Sequence, residues 1–130
     1  MKKVILFIGF IFLQISCENY FDGSCICTCE FVTINVSIVD NKYQPIKGLN
    51  IELVDKDGTA YKVEDELNNF INGYVIFNDG FINILGKTPE IFFVKAYNDS
   101  INIIEPFSFG KDDCNCHVYK VSGKDTLKIN

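Results

Sequence analysis

From residue 31 onward, apolar side chains recur mainly at a spacing of two. Within 31–39, Val32, Ile34, Val36 and Ile38 fall on one side of an extended chain, and Thr33, Asn35 and Ser37 on the other. This alternation predicts a strand with one buried face. Leu49, Ile51 and Leu53 alternate with Asn50 and Glu52 in a second strand. Asp55-Lys56-Asp57-Gly58 between that strand and 59–63 predicts a hairpin turn. Residues 74–77 are apolar on both faces, as a central strand would be. Asn78-Asp79-Gly80 reads as a turn, 81–85 as a short strand and 86–89 as another turn. Further strands are expected at 91–97, 101–104, 107–109, 117–121 and 126–129. Residues 64–72 fit either one or two helical turns or a loop. Short strands separated by Gly, Pro, Asn and Asp predict an all-β fold, a single Greek-key β-sandwich of about seven strands. The expected core includes Val32, Ile34, Val36, Ile38, Ile51, Leu53, Tyr74, Ile76, Val94 and Ala96.

The first residues follow a different pattern. Lys2 and Lys3 precede an apolar run over 4–15, too short to cross a bilayer and the right length for the apolar region of a signal peptide. The run ends at Ser16-Cys17, and this junction resembles the lipobox of bacterial lipoproteins. The resemblance implies cleavage before Cys17 and its acylation, anchoring the chain to a lipid bilayer at the outer membrane or cell surface. Glu18 directly after it resembles the surface-export signals of some Gram-negative lipoproteins. The expected organisation is a signal peptide over 1–16, a lipidated Cys17 with tether and cysteine-rich segment over 17–30, and a β-sandwich domain over 31–130.

A second resemblance covers most of that domain. Val36-Ser37-Ile38-Val39-Asp40 followed by Pro45-Ile46-Lys47-Gly48-Leu49-Asn50-Ile51-Glu52-Leu53 resembles the opening of carboxypeptidase regulatory-like domains. Asn72-Gly73-Tyr74-Val75-Ile76-Phe77 and Phe93-Val94-Lys95-Ala96-Tyr97 resemble later strands of the same family. The resemblance implies a transthyretin-like Greek-key sandwich, common in bacterial surface lipoproteins. The enzyme branch of transthyretin-like folds needs several histidines, an arginine and a terminal Tyr-Arg-Gly-Ser. This chain has one histidine, no arginine, and ends Leu127-Lys128-Ile129-Asn130.

Charge and chemistry narrow the function classes. The 12 basic residues are all lysine, against 17 acidic ones, for a net charge of −5. Without arginine or a basic field, nucleic-acid binding is not expected. Besides Cys17 there are Cys25, Cys27 and Cys29 near one end, and Cys114 and Cys116 near the other. In an exported chain these are disulfide candidates, with connectivity open and one of the five left over. The alternative is a thiol-based metal or redox protein using Cys25, Cys27, Cys29, Cys114, Cys116 and His117, although C-x-C is not the spacing of structural zinc sites. His117 alone reads as a strand residue at a sheet edge. Asp55-x-Asp57-Gly58 partly matches a calcium loop, but Leu53 stands where the first ligand would be. Asp112-Asp113 and Glu64-Asp65-Glu66 read as solvated loop charges, and Asp99-Ser100-Ile101 and Asp125-Thr126-Leu127 match a short O-glycan acceptor pattern. The expectation is a non-catalytic binding or structural accessory module of the envelope, without a cofactor, contacting an unknown envelope protein, peptide or glycan.

Overall fold

The computed structural model describes residues 25–64 and 73–129. Eight strands occur among them: β1 (Thr33–Val39), β2 (Asn50–Val54), β3 (Ala60–Lys62), β4 (Tyr74–Asn78), β5 (Glu90–Tyr97), β6 (Asn102–Lys111), β7 (Val118–Ser122) and β8 (Thr126–Lys128). They form a three-stranded sheet in the order β4-β1-β8 and a five-stranded sheet in the order β3-β2-β5-β6-β7. The protein is an all-β sandwich. The chain changes sheets between β1 and β2, β3 and β4, β4 and β5, and β7 and β8, so no sheet could form alone from a continuous stretch of sequence. Pairing is antiparallel except for β1 with β8, where Ile38 sits beside Leu127.

Alternation sets which face each strand buries. Val36 and Ile38 of β1 turn inward, as do Ile51 and Leu53 of β2 and Phe92, Val94 and Ala96 of β5, and all are buried. Phe77 of β4 stacks on Phe109 of β6 with ring centroids 4.2 Å apart, and its centroid is 5.7 Å from that of Phe92. These rings fasten one sheet to the other across the core. Val32 and Ile34 are only partly buried against that core, because β1 enters it from its rim. On the outer face, Ile91, Phe93 and Ile104 remain exposed.

Three strand assignments differ from the sequence expectation. Strand β4 is an edge of its sheet rather than a central strand. Its pairing with β1 shifts between Ile34 and Asn35: Asn35 faces Val75 and Ile34 faces Phe77, leaving Ile76 as an extra residue. The bulge reverses side-chain parity between Tyr74 and Phe77, and Val75 and Ile76 are buried as well, so this edge strand is covered on both faces. Residues 81–85 are not a strand. Asp79–Ile84 is a 3-10 helix, capped by the Asn78 side chain accepting from the Gly80 N–H. The two short strands expected at 101–104 and 107–109 are one strand, β6, which runs through Pro106. Pro106 faces Phe93 of β5, but β7 pairs β6 only from Ser108 to Lys111. The missing N–H therefore falls where β6 is locally an edge. The expectation for 64–72 falls mostly on 65–72, outside the described residues, as do the signal peptide and Cys17.

The Pro45-Ile46-Lys47-Gly48 turn is fixed from both ends. Pro45 makes an isolated bridge with Val39. Gly48 has φ of +75°, a region that glycine enters without strain. The Tyr74 hydroxyl donates to the Ile46 carbonyl at 2.9 Å and accepts the Leu49 N–H at 3.2 Å, so β4 holds the turn against the core.

Candidate functional site at the cysteine staple

The structure brings the two cysteine clusters together at one end of the sandwich. Cys25 is bonded to Cys114, with Cα atoms 5.5 Å apart, and Cys27 to Cys116, at 5.4 Å. Each bridge spans 89 residues of sequence. Cys25 and Cys27 meet Cys114 and Cys116 of the β6–β7 loop in the same order along the chain, so one C-x-C lies beside the other. Counting five cysteines apart from Cys17 predicts one thiol left over, but none of the described cysteines, Cys29 included, is free. Such bridges fit a chain that has left the reducing cytosol for an oxidising, exported environment. No helix among the described residues is long and apolar enough to cross a membrane.

The bridged loop is shaped by Asp112. Its Oδ1 accepts the Cys116 N–H at 2.7 Å and its Oδ2 the His117 N–H at 3.2 Å. Its backbone N–H donates to the His117 carbonyl, and its carbonyl accepts the Asn115 N–H. Asn115 has φ of +53°, which asparagine tolerates better than most residues. Asp112 is thus the organiser of a turn rather than a purely solvated charge, while Asp113 is exposed.

His117 lies just before β7, not within it, and both ring nitrogens are engaged. Nε2 is 2.9 Å from Thr28 Oγ1 and Nδ1 is 2.8 Å from Asp79 Oδ2. Asp79 is the hub of this end of the molecule. Its Oδ2 also accepts the Val32 N–H and its Oδ1 the Val118 N–H, each at 2.9 Å, while its own N–H donates to the Val32 carbonyl at 3.1 Å. One carboxylate therefore joins the lead-in to β1, the 3-10 helix and the start of β7. Burial pushes the Asp79 carboxyl up, but the Val32 N–H, the His117 ring and the Val118 N–H outweigh it and hold its pKa below the usual 3.8. For His117, the hydrogen bond to Asp79 raises the pKa above the usual 6.5 against the opposing effect of burial. The charges of Asp79, Asp112 and Glu30 act in the same direction.

Four of the six candidate metal ligands are thus held in disulfides, and His117 is committed to Thr28 and Asp79. Among the described residues, no three His, Cys, Asp or Glu side chains are gathered to hold a metal ion. The Asp55–Gly58 stretch is a hairpin turn: Asp55 Oδ1 accepts the Asp57 and Thr59 N–H groups, and Oδ2 accepts the Tyr61 hydroxyl. Thr28 and Asp79 were not among the sequence candidates. Their partners lie 89 and 38 residues away, and no local spacing marks either.

Comparison with protein-family models, with curated proteins and with solved structures returned no match to this chain.

Proposed function

We propose that this chain is a lipid-anchored envelope β-sandwich, a non-catalytic binding or structural accessory module held at the outer membrane or cell surface through acylated Cys17. The observation that carries this reading is the pair of bridges joining the segment just after Ser16-Cys17 to the β6–β7 loop. A protein anchored by its first mature residue is pulled at that residue, and its first strand would otherwise carry that load. Here two covalent links take the load a few residues beyond the anchor, and β1 behind them is spared. The acyl chains supply the membrane affinity, since an acidic domain is repelled by anionic lipid. The likeness of Pro45-Ile46-Lys47-Gly48 and its flanking strands to carboxypeptidase regulatory-like domains adds support, because such domains are common in bacterial surface lipoproteins.

The Cys17→Ala protein, expressed in an exporting bacterium, tests the anchor. It should move from the detergent phase to the aqueous phase on phase partitioning while keeping its circular dichroism spectrum. Unchanged partitioning would reject the lipid anchor.

A further inference from the structure

Thr28 Oγ1, His117 and Asp79 form a hydrogen-bonded line in the order hydroxyl, imidazole, carboxylate, with separations of 2.9 and 2.8 Å. Proton positions along it follow from chemistry. Asp79 accepts two backbone N–H groups and is held ionised, so the hydrogen bond from His117 places the proton on Nδ1. In the neutral ring Nε2 is then the acceptor, and the Thr28 hydroxyl must donate to it. An imidazole so placed can remove the hydroxyl proton, while the carboxylate fixes the tautomer and balances the imidazolium. The order and roles of the groups define this arrangement, not their sequence positions.

The staple gives the line its rigidity. Thr28 directly follows Cys27 and His117 directly follows Cys116, and these two cysteines are bonded to each other. The covalent link therefore sits one residue behind both members of the hydroxyl–imidazole pair. Asp112 holds the His117 N–H from behind, and Asp79 is fixed by the lead-in to β1 and by β7. Thr28 itself is exposed, so an incoming reagent meets no barrier.

We infer that Thr28 is a nucleophilic hydroxyl, activated by His117, which accepts an acyl group from an activated ester in one stoichiometric step. The Thr28 oxygen attacks the ester carbonyl carbon and a new C–O bond forms. The hydroxyl proton passes to His117 Nε2, the bond to the leaving oxygen breaks, and that oxygen takes the proton back from Nε2. No electrons are transferred and no further reactant is consumed. An open surface around the hydroxyl suits a reactive donor and a lasting ester rather than repeated hydrolysis of stable bonds. The inference does not depend on the lipid anchor, and either can fail alone.

The test uses the full chain with its disulfides intact and p-nitrophenyl acetate as the acyl donor. Wild type should release about one equivalent of p-nitrophenolate in a fast phase, and peptide mass spectrometry should place the acetyl group on Thr28. The rate should climb as His117 loses its proton, above pH 6.5. Thr28→Val should abolish the fast phase, and His117→Gln should slow Thr28 labelling by about 10²-fold or more and flatten its pH profile. Thermal melts of both variants would confirm that they remain folded. Acetyl groups found only on lysines, or Thr28 labelled equally fast in folded His117→Gln, would overturn the inference.

Discussion

Asp79 ties together stretches of chain that are distant in sequence. It accepts from Val32, in the lead-in to β1, and from the adjacent His117 and Val118 at the start of β7, two stretches far apart in sequence. Asp79→Ala leaves two backbone N–H groups without their acceptor, and should cost about 1–3 kcal/mol in urea denaturation. The pH dependence has two sides. The His117 pKa is raised, so its contribution to stability is complete below pH 6.5 and is lost as the pH climbs through the raised value. The Asp79 pKa is lowered, so its contribution is complete above 3.8 and is lost as the pH falls through the lowered value. Stability should therefore be greatest between these limits, and in His117→Gln the alkaline decline should shrink. None of this was legible in the sequence. Asn78-Asp79-Gly80 carries the signature of a turn, and a turn signal does not say which distant N–H groups a carboxylate will meet.

At the scale of the element, alternation was the informative signal where a strand has one wet face. Val36 is 1% exposed, whereas its neighbour Asn35 faces solvent. Val36→Ala should cost about 1–3 kcal/mol and Asn35→Ala less than about 0.5 in the same denaturation assay. Similar costs for the two would place the register of β1 in error. Alternation also implied the inward turn of Phe92, two residues before Val94, although the sequence reading named only Val94 and Ala96. The pattern misled where a local device breaks parity. Strand β4 looks central because it is buried on both faces, although it pairs on one side only, and the Asn78 cap starts a 3-10 helix where a strand was expected. Pro106 looked like a strand terminator because sequence does not reveal that β7 stops short of it.

For the whole molecule, the sandwich was legible from the spacing of strands and turns, and the exported compartment from its paired cysteine clusters. Connectivity was not, because two C-x-C pairs can bridge in either register. Energetically the two bridges are not independent. Either one alone closes a loop of 89 residues, so losing one leaves the long loop closed. In the chain-entropy model, replacing Cys25 and Cys114 by alanine should cost ~2 kcal/mol, and replacing all four cysteines ~6 kcal/mol, both read from urea denaturation. A single-bridge loss costing half as much as the loss of both would contradict that nesting. We propose a β-sandwich stapled close behind a lipid anchor, and peptide mass spectrometry of the unreduced protein, purified from an exporting host, tests this most directly. The account predicts cross-linked peptides joining Cys25 to Cys114 and Cys27 to Cys116, and an amino-terminal peptide beginning at an acylated Cys17. Free thiols at those four positions, a bound metal ion, or Cys17 found unacylated or in a disulfide would contradict it.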